Sequence, residues 1–168
     1  MGTKEHKQSA PRQVKVGVIS VSSTRTVADD ESGHWIRKRI VKEGHQALFH
    51  QVIADDAEAI RESVLSGIQE LRPQVILVTG GTGISAKDVT IEALQPLFEK
   101  ELTAFGSIFA GLSFEQIDSA AILSRATAGI IDRTVIFCIP GSLKACKLAC
   151  NALILPELGH VVKHVDEA

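Results

Sequence analysis

The sequence predicts an α/β fold built on an open, mostly parallel, doubly wound sheet. Residues 14–21, 75–79 and 134–139 are near-continuous Val- and Ile-rich runs, too apolar for strands with one wet face. Segments with helical apolar spacing separate the early runs, so the chain opens β-α-β-α-β. Right-handed crossovers over a parallel sheet are the usual solution to that order.

Each element has its own signal. Val-Lys-Val-Gly-Val-Ile-Ser-Val at 14–21 suits a central strand covered on both faces. Asp30, Ser32 and Gly33 are start signals for a helix with Ile36 and Ile40 on one face, and Gly44 closes it as the residue just past its end. A second strand over 46–53 stops at Asp55-Asp56. The next helix carries Ile60, Val64, Leu65, Ile68 and Leu71 as a narrow apolar stripe, and Pro73 ends it. After the strand at 75–79, Asp88 or Thr90 caps a short helix running to about Gln95, with Pro96 disturbing its end. Residues 105–117 form an amphipathic helix with Phe105, Ile108, Phe109 and Leu112 on one face. Phe114 and Ile117 add apolar surface elsewhere, an argument for a subunit interface. The strand at 134–139 pairs with 126–131 across an Asp132-Arg133 turn, and Pro140-Gly141-Ser142 opens a C-terminal helix.

The 168 residues fit one domain, taken as 14–168 behind a flexible polar N-terminal arm at 1–13 that lacks the apolar core of a signal peptide. With 18 basic and 20 acidic residues, the net charge of −2 gives no electrostatic reason to expect nucleic acid or an anionic membrane as a partner. Six Phe, one Trp and no Tyr leave few aromatic faces for stacking bases. No apolar run approaches the roughly 18 residues a membrane span needs. Cys138, Cys146 and Cys150 read as small buried hydrophobes of a reducing cytoplasm; the i,i+4 pair lacks further ligands for a metal.

Open parallel sheets bind ligands beyond the carboxyl ends of their strands. Those ends carry Ser20 and Ser22 to Arg25, then Asp55 and Asp56, then Thr79-Gly80-Gly81-Thr82-Gly83 with Lys87, Asp88 and Thr90, and finally Pro140, Gly141 and Ser142. The glycine loop permits positive φ and can turn its amides into an anion-binding nest. It is neither a Walker loop nor a dinucleotide fingerprint. A carboxylate beside a phosphate loop suits Mg²⁺ on a polyphosphate, because that ion takes one or two carboxylates plus phosphate oxygens. Taken alone, Asp88 reads equally as an N-cap for the amide of Thr90 or Ile91, Asp55 as a cap for the helix starting near Ala57, and Ser142 as a cap. Among the cations Arg25, Lys87, Arg125 and Lys144, Lys87 is the best placed. The histidines show no metal or triad spacing, and there is no G-x-S-x-G elbow.

Five segments, in this order and spacing, resemble the MoaB/MogA family of molybdenum cofactor biosynthesis proteins. They are Ser20 to Thr26, Thr79 to Gly83 with Asp88-Val89-Thr90, Phe105-Gly106, Leu123 to Ala126, and Ile139 to Ser142. Leu112 to Ile117 and Ser142 to Cys146 look more like the MoaB branch. The resemblance implies a three-layer α-β-α sandwich, a homo-oligomer (trimer or hexamer), a cytoplasmic location, and other proteins of the same biosynthesis as partners. It implies transfer of AMP from Mg-ATP to the terminal phosphate of molybdopterin, releasing pyrophosphate. Position by position, Asp55 and Asp88 match the family's functional aspartates, expected to hold or orient Mg²⁺. Gly80, Gly81, Thr82 and Gly83 match its phosphate loop, and Ser20, Ser22, Pro140, Gly141 and Ser142 match positions lining the nucleotide and pterin pockets. Lys87 and Thr90 complete the expected binding set. Ser107 and Ala110 stand where the family usually has Glu and often has Arg, and Leu143 where many members have Pro or Thr. The first two motivate a second reading, a non-catalytic pterin-binding or regulatory paralogue; the apolar 105–117 segment motivates a third, an assembly module.

Overall fold

The structure is a computed structural model that describes residues 10–167, so most of the arm expected at 1–13 lies outside the described residues. Its elements are β1 (Lys15–Val21), α1 (Glu31–Lys42), β2 (Gln46–Ile53), α2 (Ala57–Leu71), β3 (Val75–Thr79), α3 (Thr90–Leu94), β4 (Lys100–Glu101), α4 (Thr103–Ile117), β5 (Thr127–Ile131), β6 (Thr134–Ile139), α5 (Leu143–Ala149) and α6 (Leu155–Asp166). Short 3-10 turns at Val27–Asp29, Gln95–Leu97 and Asp118–Leu123 punctuate them, and a π-helical turn, Cys150–Ile154, joins α5 to α6.

The six strands form one sheet in the order β2-β1-β3-β6-β5-β4. β1 pairs in parallel with β2 and β3, and β3 with β6; β5 and β4 are antiparallel additions at the far edge. The core strands alternate between two apolar layers, as the two-residue side-chain period requires. Val16, Val18, Val75, Leu77, Val135, Phe137 and Ile139 face α1, α4, α5 and α6. Ile19, Val21, Ile76, Val78, Ile136 and Cys138 face α2 and α3. The chain is thus the three-layer α-β-α sandwich expected, with a mostly parallel sheet. Each fully buried Ile or Val contributes about 1.5–3 kcal/mol, which anchors the strand ends that carry the site.

Several local expectations change. In α2 the buried residues are Ile60, Val64, Gly67 and Ile68, whereas Leu65 and Leu71 are exposed. Gly67 belongs to that face because the Phe49 ring packs over it and over Gly17. α4 starts at Thr103, two residues before the first apolar position, and buries Phe105, Phe109 and Ser113. Ile108 is half exposed. The position before α3 is Val89, which makes no side-chain cap bond, so neither Asp88 nor Thr90 caps that helix. β4 was not expected at all; two residues carry no periodic signal and are defined only by pairing with Gly129 and Ile130.

The helical run Leu143–Asp166 is long and apolar enough by composition to cross a membrane. In the fold one face of it packs on the sheet, burying Cys146, Ala149, Cys150, Ile154, Leu158 and Val162. Pro156 in the first turn of α6 cannot donate to a carbonyl four residues back, and the wide turn before it absorbs that loss.

Candidate functional site

A cleft of about 380 Å³ lies at the carboxyl ends of β1, β3 and β6. It is lined by the β1 loop (Ser22, Thr24, Arg25), the glycine loop (Gly80 to Gly83) with Asp88, the segment Leu123-Ser124, and Pro140-Gly141. That volume is in the range of small-molecule sites.

The glycine loop owes its path to backbone demands. Gly80 has φ +95°, and a Cβ there would sit 2.5 Å from the Val21 carbonyl oxygen. Gly81 has φ +66° and lies against the Thr90 hydroxyl. Such angles are costly for any residue with a side chain. The Gly80 amide donates to Ile139 O at 2.9 Å, which fastens the loop to the end of β6.

Every carbonyl from Gly80 to Gly83 has a donor. Thr90 Oγ1 donates to Gly80 O at 2.8 Å and Thr90 N to Gly81 O at 2.9 Å. Arg125 Nε donates to Thr82 O at 2.9 Å and to Gly83 O at 3.0 Å, and Nη2 to Gly83 O at 2.8 Å. In a planar trans peptide the following N–H points opposite to the carbonyl. The amides of residues 81–84 are therefore turned away from Thr90 and Arg125; that of Gly83 is taken by the Asp88 carboxylate, which leaves those of Gly81, Thr82 and Ile84 for an anion.

Asp88 sits at the lip of this loop and is not a helix cap. Its Oδ2 accepts from Ser85 N at 2.9 Å and from Ser85 Oγ at 2.7 Å. The Ser85 hydroxyl bond, with the Ser85 and Gly83 amides and the Arg125 charge, outweighs desolvation and holds its carboxyl below the usual carboxylate range. Asp88 is thus an ionised group at neutral pH. Asp56, rather than Asp55, caps α2, accepting from Ala59 N at 2.9 Å. Asp55 is left half buried, accepting from Ser23 Oγ, which ties the β2 loop to the β1 loop. It does not line the cleft itself.

The remaining expected residues divide. Ser22 lines the cleft, and its Oγ accepts from the amides of Thr24 and Arg25 at 3.3 and 3.2 Å, curling the β1 loop. Pro140 and Gly141 form a wall held from below. The Pro140 carbonyl accepts from Thr79 Oγ1 at 3.0 Å and Cys146 Sγ at 3.3 Å, and the Gly141 carbonyl from Ser32 Oγ at 2.9 Å. Ser142 caps α5, accepting from Ala145 N at 3.2 Å, and opens on a neighbouring recess of about 80 Å³ with Ser113, Ser124 and Lys144. Thr90 is fully buried and spends its hydroxyl on Gly80, so it supports the loop and does not reach the cleft. Ser20 is also buried, below the cleft beside Asp30. Lys87 is exposed and outside the lining.

Two features escaped the site expected from sequence. Thr24 and Arg25, noted in the sequence after the first strand but left out of the expected binding set, line the cleft, and so does Ser124, which follows the turn Asp118–Leu123 and carries no strand-end signal. Beneath it, His50 Nε2 meets Asp30 Oδ2 at 2.7 Å, with both side chains almost completely buried. Burial pushes the Asp30 acid up, but the Ser20 hydroxyl, His50 and the Gly33 amide together hold it below the usual range. Ser20 Oγ faces that carboxyl without closing a hydrogen bond of normal geometry.

Among the described residues no group of three or more His, Cys, Asp or Glu could hold a metal. Such an inventory does not fit a resident all-protein metal centre. It does fit Mg²⁺ that arrives on phosphate oxygens and needs only one or two carboxylates, such as ionised Asp88.

The family described as a probable molybdopterin binding domain matches residues 17–160. The chain is 49% identical over 166 residues to molybdenum cofactor biosynthesis protein B of Bacillus subtilis, covering 98% of each chain. It is 39% identical over 173 residues to a molybdopterin adenylyltransferase of Pyrococcus furiosus, covering 99% of this chain and 100% of the other. A crystal structure of a molybdenum cofactor biosynthesis protein B superposes with a TM-score of 0.91 at 42% identity, covering 95% and 99% of the two chains.

Proposed function

Because the chain belongs to the MoaB/MogA family of molybdenum cofactor biosynthesis proteins, we propose that it is a molybdopterin adenylyltransferase working from the cleft between β1, β3 and β6. A terminal phosphate oxygen of molybdopterin attacks the α-phosphorus of ATP. The bond from that phosphorus to the β-phosphate bridging oxygen breaks, and pyrophosphate leaves. The attacking phosphate is already ionised at neutral pH, so no general base is needed. Positioning and charge neutralisation supply the catalysis.

The observation that carries this reading is the glycine loop with all four carbonyls tied back, beside a carboxylate held ionised. In this assignment the loop amides cradle phosphate and Arg25 adds positive charge from the β1 loop. Ser22, Pro140 and Gly141 form the facing wall. Ser20 and Thr90 act from beneath, Ser142 from the adjoining recess, and Lys87 from the rim. Asp88, with Asp55 from the neighbouring loop, would hold Mg²⁺ brought in with ATP. Bound there, the ion offsets phosphate charge and polarises the oxygens it touches.

The protein carries this activity on one domain, residues 14–168, in the cytoplasm, and works as a homo-oligomer, a trimer or hexamer, within the same biosynthetic machinery. Ile108, Phe114, Ile117, Ile122 and Leu123 supply the apolar face for assembly. Ser107 and Ala110 both point outward on α4, away from the cleft lining, so the features that motivated an inactive paralogue lie outside this chain's own pocket.

Purified protein with Mg-ATP and molybdopterin should form adenylylated molybdopterin and pyrophosphate, followed by chromatography and a phosphate-release assay. Asp88→Ala should lower kcat/KM by about 100-fold or more, and Asp55→Ala with Asp88→Ala should abolish turnover. Wild-type rates in the double variant would refute the assigned roles, and pterin binding without turnover by the wild type would establish the non-catalytic reading.

A further inference from the structure

We propose that Arg125 is a positioning residue that sets the glycine loop from behind and never touches the nucleotide. An arginine beside a phosphate loop would ordinarily be assigned to the phosphates themselves. The geometry points elsewhere. Leu123 and Ser124 line the cleft, but Arg125, the next residue, does not. Its guanidinium is spent on the back of the loop, on the carbonyls of Thr82 and Gly83, and on Glu92 of α3. Nη1 and Nη2 reach the two Glu92 oxygens at 2.5 and 3.2 Å. Glu92 takes the far side of the guanidinium, so the N–H groups of Arg125 are committed behind the loop and none is directed into the cleft.

The two supports divide the loop between them. Thr90 takes the carbonyls of Gly80 and Gly81, and Arg125 takes the next two. Both supports lead back to α3, which carries Thr90 and, through Glu92, orients Arg125. The second half of the loop is therefore aimed by one planar fork. Lysine has three donors on a single nitrogen and no such fork, so it cannot bracket both loop carbonyls while also meeting both Glu92 oxygens. The ion pair is partly exposed, at 35% and 52% for the two side chains, so it adds little to global stability. Its effect is geometric.

The proposal uses the adenylyl-transfer reading only for the kinetic arm of its test. The experiment takes the full chain with Arg125→Lys, Glu92→Ala and the double variant. Amide ¹H–¹⁵N resonances of residues 81–84 are recorded without nucleotide, with the melting temperature and, for active protein, kcat and KM for Mg-ATP. Arg125→Lys should shift the loop amides, leave Tm within about 2 °C and lower kcat/KM about 10- to 100-fold. Glu92→Ala should act in the same direction more weakly, and the double variant should be no worse than Arg125→Lys alone, because the two residues act as one unit.

Unmoved loop amides in Arg125→Lys overturn the proposal. So does a Glu92→Ala enzyme as good as or better than wild type, since an arginine acting directly on phosphate is freed by losing its carboxylate. A wild type without turnover defeats the adenylyl-transfer reading, and the amide resonances still decide the role of Arg125.

Discussion

Asp55 and Asp56 are neighbours of identical chemistry, and one residue of register gives them different work. Asp56 spends its carboxylate on the Ala59 amide, which leaves Asp55 for the β1 loop and, in our proposal, for the metal. Sequence could place both at the end of β2 but could not tell cap from ligand, because the helix start is uncertain by a residue until the chain is folded. Asp30 and His50 mark a harder limit. They lie 20 residues apart and meet only because β2 docks beside β1, so that Val18 and His50 are register partners under the start of α1. The pair has a measurable consequence. Asp30 is held below the usual carboxylate range in the fold, so on acidification the unfolded chain takes up that proton first. Its stabilising effect is therefore complete above the usual carboxylate range and is lost as pH falls through it toward the lower folded-state value. Asp30→Ala should cost about 2–3 kcal/mol in urea unfolding at neutral pH, through the lost cap and the stranded His50. The gap from wild type should narrow near about pH 3.5; a gap constant with pH would show that the carboxylate charge is not what matters.

At the level of elements, the strands of the parallel sheet were legible because burial on both faces leaves an uninterrupted apolar signature, as at 75–79 and 134–139. The Asp132-Arg133 hairpin was equally legible, and both residues adopt positive φ as a tight two-residue turn requires. β4 and the uncapped start of α3 were not, since each is specified by distant partners: Gly129 and Ile130 for one, the glycine loop for the other. The loop itself announced its glycines but not its supports. Thr90 looked like a ligand contact in sequence and is a strut in the fold. Gly80→Ala tests how rigidly the element is built. The added Cβ meets backbone, not a movable side chain, at an angle alanine disfavours. It should destabilise by about 1–3 kcal/mol and weaken ATP binding measured by calorimetry; unchanged affinity would mean that the loop does not hold phosphate.

Across the whole molecule, polar and apolar surfaces are unevenly shared. The outer side of α4 and the turn Asp118–Leu123 expose Ile108, Phe114, Ile117 and Leu123, and Ile122 is 81% exposed. Exposed large apolar side chains gathered on one helix and the turn after it suit an interaction site. Light scattering should find the wild type as a trimer or hexamer, and Phe114→Asp with Ile122→Asp should yield monomers. A wild type already monomeric at micromolar concentration would remove this face from the account of assembly. The same turn runs into the cleft: Leu123 belongs at once to the apolar patch and to the wall around the glycine loop. In the assembly and nucleotide site proposed above, two equilibria share a side chain. When a neighbouring copy covers the patch, whatever factor that contact adds to nucleotide affinity must be returned by nucleotide to self-association. Where that factor exceeds one, dilution loosens ligand and saturating ligand holds the assembly together; where it is below one, ligand drives the copies apart.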